Sequence, residues 1–175
     1  MDAVVIHIQG VVQGVGFRPA VWHIANRLDI TGSVWNSGTG VVINAWGASG
    51  KLAEFNQQIV TNLPPLARID SLTTSPLDPR HPPATFTIER SKCAAHLWSA
   101  IAPDAATCPH CLADMASSED RHHGYAFTSC SYCGPRLSIV HAVPYDRTNT
   151  SMREFTICSA CQAEYETPAD RRFHA

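Results

Sequence analysis

The sequence has no long hydrophobic run and almost no net charge. Its 175 residues carry 13 Lys and Arg against 15 Asp and Glu, a formal net charge of −2. No segment approaches the roughly 20 apolar residues that a membrane-spanning helix needs, and the first residues do not form a secretion signal. So small a charge provides no field that would attract nucleic acid or anionic lipid. The sequence therefore predicts a protein that binds neither a membrane nor nucleic acid.

Cysteine is scarce outside one half of the chain, and its spacing there is regular. Six of the seven cysteines form three Cys-x-x-Cys pairs: Cys108/Cys111, Cys130/Cys133 and Cys158/Cys161. In a chain without a secretion signal, such pairs predict metal ligation in a reducing compartment, so we expect a cytoplasmic protein. The remaining Cys93 is expected to have no special role. Residues 104–175 hold 6 basic and 9 acidic residues, a balance that argues against a nucleic-acid-binding zinc module.

Hydrophobic periodicity predicts an α+β fold for the first half of the chain. Two amphipathic helices are expected, one beginning near Pro19 and one over 50–62. Strands are predicted at 4–8, 32–35, 41–46, 67–77 and 85–90. The order β-α-β-β-α-β with a short extra strand favours a ferredoxin-like sheet with both helices on one face. We expect this domain at 1–91, a connector at 92–104 and a small irregular zinc-binding module at 105–175.

The segment between the first strand and the first helix is rich in small residues and ends in Arg18. Gly14 and Gly16 tolerate positive φ, so successive backbone N–H groups can converge on one point near the positive end of the helix dipole. The guanidinium of Arg18 adds a fork that matches phosphate oxygens. The loop is thus a candidate phosphate site; the alternative is an ordinary turn with a surface arginine.

Two of the Cys-x-x-Cys pairs have the spacing of a complete metal site. Cys108 and Cys111 precede Cys130 and Cys133 by 22 residues, and four thiolates complete a tetrahedral zinc site with no open position. Such a site is structural, and metal binding would supply folding free energy on the order of 10 kcal/mol. The first finger, 108–133, is therefore predicted to be complete.

The cysteine-rich half contains a repeat with a period of fifty residues. Cys158 and Cys161 repeat the first pair, and Asp170-Arg171 repeats Asp120-Arg121. The second finger, from 158, lacks its second cysteine pair, which predicts a fragment of a longer protein. The half site has three possible fates: to stay free, to use His174, or to recruit a second molecule. In an interleaved alternative, Cys158 and Cys161 share one ion with the first cysteine pair.

The histidines are not expected to perform chemistry. Alternation along the first strand places His7 on the open face of the sheet, and His23 lies off the apolar face of its helix. His110, His122 and His123 lie near the predicted ligands and are expected to be solvated or to support them from outside the coordination sphere.

Two motifs of the first half resemble the acylphosphatase family. Residues 10–18 resemble the pattern G-x-V-Q-G-V-x-F-R without a mismatch, and residues 32–42 resemble the second family pattern around Asn36, with Trp35 in place of a basic residue. The spacing from Val42 to Gly47 is also one residue shorter than in that pattern. The resemblance implies that Arg18 binds the phosphoryl group and that Asn36 positions the attacking water. It further implies that backbone amides surround the phosphate, those of Gln13, Gly14, Val15, Gly16, Phe17 and Arg18.

The whole chain resembles the N-terminal part of the HypF family of hydrogenase maturation carbamoyltransferases. The resemblance is carried by the acylphosphatase-like motifs, the cysteine spacing, and the strings at 144–147 and 170–175. It implies that the first domain hydrolyses carbamoyl phosphate, that zinc is a structural cofactor, and that a hydrogenase maturation protein is the partner of the complete enzyme. Two alternatives stay open: a general acylphosphatase with a zinc appendage, and a non-catalytic zinc-organised interaction module that only holds ligand.

Overall fold

The computed structural model describes residues 1–92, 101–134 and 137–175. A five-stranded sheet with two helices forms the first part, and a segment of short helices and turns carries the cysteines. Cys93 and most of the predicted connector lie outside the described residues.

The elements of the first part follow the predicted order. The helices are α1, Phe17–Arg27, and α2, Ser49–Thr61. The strands are β1, Asp2–Val11; β2, Thr31–Ser37; β3, Gly40–Gly47; β4, Arg68–Pro76; and β5, Phe86–Ile88. β1 is longer than its apolar run predicts because it continues past a register shift at Gly10. This residue has φ 137°, and a Cβ there would lie 2.1 Å from the carbonyl oxygen of Arg68, so the close pairing requires glycine.

The sheet has the strand order β4-β1-β3-β2-β5. β1 pairs antiparallel with β3 and with β4, β2 pairs antiparallel with β3, and the short β5 runs parallel to β2 at the edge. This arrangement confirms the predicted ferredoxin-like α+β class, with β5 as the additional strand. It also brings the end of β1, which leads into the glycine loop, close to the turn between β2 and β3.

Both helices pack on one face of the sheet. Ile6 and Ile8 of β1 are buried in the core, while His7 between them is exposed on the opposite face, as the alternation predicts. Four buried residues of α1 and three of α2 belong to this core: Phe17, Val21, Ile24, Ala25, Leu52, Phe55 and Ile59. The apolar residues that recur with helical spacing in the sequence are therefore the ones that are buried in the structure.

The cysteine-rich segment repeats its local structure with the predicted period. α3, Pro109–Ala116, begins directly after Cys108, and α4, Ser159–Glu166, begins directly after Cys158. The N–H of Gly124 donates to the Met115 carbonyl, and fifty residues later the N–H of His174 donates to the Tyr165 carbonyl. Three short 3₁₀ helices lie between the two copies, at Leu137–Ile139, Arg147–Asn149 and Ser151–Glu154.

Within the described ranges, no helix combines the length and the hydropathy required to cross a bilayer.

Candidate functional site

The loop between β1 and α1 has the backbone that its glycines predict. Gly14 has φ 66° and Gly16, which precedes α1, has φ 75°, both in the left-handed region. Among the described residues, no acceptor completes a hydrogen bond with the N–H groups of residues 15–18. Four free amides at the start of a helix are the donors that an anion would use.

Arg18, the second residue of α1, is a buried cation. Its side chain is 10% exposed, and its Nη2 donates to Oδ1 of Asp146 over 3.2 Å. Burial lowers the pKa of the Arg18 guanidinium, and the charge of Asp146 opposes this shift. A buried charge needs partners. The hydrogen bond to Asp146 uses one N–H donor of the guanidinium, so its other donors can bind a second anion.

Gln13 fastens the loop to the β2–β3 turn. Its Nε2 donates to the carbonyl oxygens of Ser37, over 2.7 Å, and Gly40, over 2.8 Å. Its Oε1 accepts from the N–H of Tyr145 over 3.1 Å. The side chain is therefore engaged in holding three segments together, so any contact of Gln13 with phosphate would come from its backbone amide.

Asn36 has an unusual environment for an amide side chain. It lies on β2 on the same face as Val34, which the helices cover, and it is 0% exposed. Neither its Oδ1 nor its Nδ2 has a hydrogen-bond partner among the described residues. A buried amide without partners is costly, so these two atoms point to a ligand or a water as their partner. The next residue, Ser37, carries the carbonyl that Gln13 binds.

The cysteine-rich segment covers the glycine loop and Arg18. Together they line one cavity, whose walls include Gly14, Gly16, Arg18, Ser131, Tyr145, Asp146, Tyr165, Phe173 and His174. A methyl group added at Gly16 would lie 3.0 Å from the Tyr132 ring, so the cover fits closely there. The end of the predicted connector also packs against the sheet part, because Ile101 forms a parallel bridge with Gln13 and Ala102 is buried in the core.

His174 lines the cavity but adds no positive charge to it. Its ring stacks on Phe173, with centroids 4.0 Å apart, and on Tyr165, at 4.9 Å. Desolvation by these rings, together with the nearby charge of Arg18, lowers the pKa of His174 to about 4. The imidazole is therefore neutral near pH 7. His7 and His23 are both exposed, as expected.

The first four cysteines form a compact group. The sulfur atoms of Cys108 and Cys130 are 3.7 Å apart, those of Cys130 and Cys133 are 3.8 Å apart, and those of Cys133 and Cys111 are 3.8 Å apart. A tetrahedron with Zn–S bonds of about 2.3 Å has edges of about 3.8 Å, so the donor set fits a zinc ion. The site could hold a metal ion.

The local environment favours thiolate ligands in part of this group. Burial raises the pKa of Cys108, but hydrogen bonds from the Cys111 amide and neighbouring thiols outweigh it and bring the value to about 7. Burial raises the pKa of Cys111 and Cys130, and Arg171 acts against both shifts. A cation placed at buried thiols stabilises the deprotonated form that binds metal.

Cys158 and Cys161 do not join the first four cysteines, so the described geometry does not contain the interleaved site. The sulfur of Cys161 groups instead with His122 and Glu164. The histidine that lies beside Cys161 is His122 and not His174, which packs on aromatic rings. His122 is buried, and its Nδ1 lies 2.8 Å from Oδ1 of Asp120. Of the other histidines near the ligands, His110 and His123 are exposed, as predicted.

The two copies of the repeat contact each other reciprocally, and this contact surrounds Cys161 with residues of the first copy. Arg121 of the first copy donates to Cys161 and Glu164 of the second. Arg171 of the second copy donates to Cys111, over 2.9 Å, and to Asp114 of the first. Each arginine, thiol and carboxylate stands fifty residues from its counterpart. Each copy therefore supplies an arginine to the thiol and carboxylate of the other, and His122 Nε2 lies 3.5 Å from Glu164 of α4.

Sequence reasoning did not assign a role to Asp146 or Tyr145. Both lie in the string at 144–147, whose only signal was its resemblance to a family. An aspartate in an irregular segment has many explanations, and nothing local connects Asp146 with an arginine 128 residues away.

Comparison with known proteins agrees with this two-part structure. Residues 4–88 match the Acylphosphatase family, and residues 107–140 and 157–175 match the HypF finger family. The acylphosphatase of Lacticaseibacillus paracasei is 39% identical over 74 residues, which are 42% of this chain and 80% of that protein.

Longer relatives match both parts together. Carbamoyltransferase HypF of Rhodobacter capsulatus is 47% identical over 175 residues, which are 100% of this chain and 23% of that protein. A crystal structure of full-length HypF in the phosphate- and nucleotide-bound form superposes with a TM-score of 0.94 at 38% identity, covering 99% of this chain and 23% of that one. The chain thus spans about a quarter of the length of these relatives.

Proposed function

Since the chain belongs to the HypF family and corresponds to the N-terminal part of its members, we propose that its acylphosphatase domain binds carbamoyl phosphate and hydrolyses it to carbamate and phosphate. The observation that carries this proposal is the buried Arg18 beside four free amides at the start of α1. A dianionic phosphoryl group needs the charge and the donors that this corner provides. The phosphate in the solved HypF relative is consistent with such a site.

An acyl phosphate needs little from a catalyst beyond positioning and charge neutralisation. In the proposed reaction, a water oxygen attacks phosphorus, the bond from phosphorus to the acyl oxygen breaks, and carbamate leaves with the electron pair. Both protons of the water stay on the phosphate, which forms as H₂PO₄⁻, so no tuned general base is required. Arg18 and the amides of the loop neutralise the equatorial oxygens.

Asn36 is assigned to the attacking water. Its buried Oδ1 can accept a hydrogen bond from that water, and its Nδ2 can donate to a phosphoryl oxygen. These two bonds would satisfy both atoms of the side chain when substrate is present.

The zinc assignment concerns structure alone. Cys108, Cys111, Cys130 and Cys133 would hold a structural zinc ion, which when bound fixes the fold of the first finger. Cysteines that bind zinc must stay reduced, which is typical of the cytoplasm, so we propose that the protein is cytoplasmic. In the complete protein, the carbamoyl group would pass on to a partner in hydrogenase maturation.

Kinetics of two variants test the site. Arg18→Ala is expected to reduce kcat/KM for carbamoyl phosphate on the order of 10³-fold, with the loss of phosphate inhibition. Asn36→Ala is expected to reduce kcat about 10²-fold and to leave phosphate inhibition in place. Arg27→Ala, on the same helix but exposed, is the matched control. Wild-type rates in either site variant would refute the assigned roles.

The two alternatives predict other results with the intact chain. A general acylphosphatase would hydrolyse carbamoyl, acetyl and benzoyl phosphates with similar kcat/KM, whereas an enzyme specific for carbamoyl phosphate would favour the first. An interaction module would bind phosphate, measured by calorimetry, without turnover of any acyl phosphate.

A further inference from the structure

Residues of the cysteine-rich segment form one wall of the cavity, beside the glycine loop. The match to the Acylphosphatase family ends at residue 88, so the residues of this wall lie outside it. The cavity therefore has side chains that the acylphosphatase domain does not supply: Tyr145, Asp146, Phe173 and His174.

Asp146 has a fixed place in this wall. The preceding residue, Tyr145, is 8% exposed, and its N–H donates to Gln13 in the loop. The carbonyl of Asp146 accepts from the N–H of Asn149 over 2.8 Å, and the Asn149 side chain donates to the carbonyl of Pro144 over 2.8 Å. The carboxylate is thus held at Arg18 by backbone contacts on both sides of it.

The chemistry of Asp146 complements one kind of acyl group. Among the described residues that line the cavity, Asp146 supplies the one carboxylate, and its Oδ2 has no hydrogen-bond partner in that part of the chain. A carbamoyl group carries an NH₂ with two donors, whereas acetyl and benzoyl groups have none. A carboxylate is the strongest acceptor that a side chain can offer to such a donor.

We propose that Asp146 determines acyl specificity: it accepts a hydrogen bond from the carbamoyl NH₂ while Arg18 holds the phosphoryl group of the same substrate. This inference rests on the proposed function. Arg18 then lies between two anions, the carboxylate and the phosphoryl group, and balances both. A site that binds an NH₂ through a carboxylate rejects substrates without it, because the acceptor would be left next to an apolar methyl or phenyl group.

The test is the ratio of kcat/KM for carbamoyl phosphate to that for acetyl phosphate, measured on the intact chain. Asp146→Ala is expected to lower this ratio about 10-fold or more, because it removes a charge-assisted hydrogen bond from one substrate only. Asp146→Asn keeps an acceptor oxygen and is expected to lower it less. Asp70→Ala, which breaks an exposed ion pair with Arg68 on β4, is the control and should leave the ratio unchanged.

The results for the wild-type chain test the proposed function, and the results for Asp146→Ala test the specificity role. If the wild-type chain hydrolyses neither substrate, the proposed function fails. If it hydrolyses both and Asp146→Ala changes them by the same factor, the function stands and the specificity role is refuted. An equal rise for both substrates would identify Asp146 as a competitor for Arg18, which also refutes it. Thermal melting and zinc content of each variant confirm that a change in the ratio does not come from misfolding.

Discussion

The two parts of this chain are stabilised in different ways. In the sheet part, seventeen buried apolar residues form one core between the sheet and its helices, and Ala102 of the predicted connector joins it. In the described part of the cysteine-rich segment, the second buried cluster consists of Cys111, Cys130 and Cys133. The first part can fold by burying apolar surface, whereas we expect the second to need the proposed zinc ion, because a small segment without an apolar core cannot offset its conformational entropy.

Zinc removal is the strongest way to break this comparison. Chelation is expected to cost the cysteine-rich segment on the order of 10 kcal/mol of folding free energy and to unfold it. Hydrogen exchange should then show unprotected amides in 105–175 and retained protection in β1 and β3. Cys158→Ala, at an exposed sulfur outside the first group, serves as the control with an intact first site. Exchange protection that persists throughout the segment after complete chelation would contradict the metal-dependent fold.

A cavity in the apolar core should destabilise the sheet part and leave the cysteine-rich segment folded. Phe55→Ala removes a fully buried ring that contacts Phe86 at a centroid distance of 6.1 Å, and it is expected to destabilise the sheet part by about 3–5 kcal/mol. Urea unfolding followed by far-UV circular dichroism measures the change, and zinc content should remain at about one ion per chain. Val60→Ala, half-exposed on the same helix, should cost much less. Loss of zinc in Phe55→Ala at low urea would show that the two parts do not unfold independently.

Arg121 and Arg171, which each contact the other copy of the repeat, allow the two copies to be compared within the cysteine-rich segment. Arg171→Ala leaves the buried Cys111 thiolate and Asp114 without their cation, so we expect faster zinc release, by about 10-fold, and a stability loss of about 1–3 kcal/mol. Arg121→Ala acts on the more exposed Cys161 and is expected to cost less than about 1 kcal/mol. A chromogenic chelator follows the release. Equal release rates in the two variants would mean that the cations contribute nothing specific.

The smallest effect is expected at His7. This side chain is exposed on the open face of the sheet, so His7→Gln should change stability by less than about 0.5 kcal/mol and leave kcat for acyl phosphates unchanged. Thermal melting and steady-state kinetics measure both. A large fall in kcat would mean that the open face takes part in catalysis.

The sequence predicted features that depend on nearby residues and missed two that depend on distant contacts. The positive φ of Gly14 and Gly16 and the fifty-residue repeat follow from local pattern, and the structure contains both. The contact of Arg18 with Asp146 does not, because it depends on how two separately stabilised parts pack together. The partner of Cys161 was missed for the same reason: the arginine exchange between the copies leaves no trace in either copy alone.

The side-chain amide of Gln13 connects the two parts of the chain, so shortening the chain would change the site. Its oxygen accepts from Tyr145 while its nitrogen grips the β2–β3 turn. A clone that stops after residue 92 keeps the turn but deprives that oxygen of its donor and leaves Arg18 open to bulk water. If the proposed function holds, such an excised domain would be a less selective catalyst, and rates measured on it would describe a site without the wall that Tyr145 and Asp146 form.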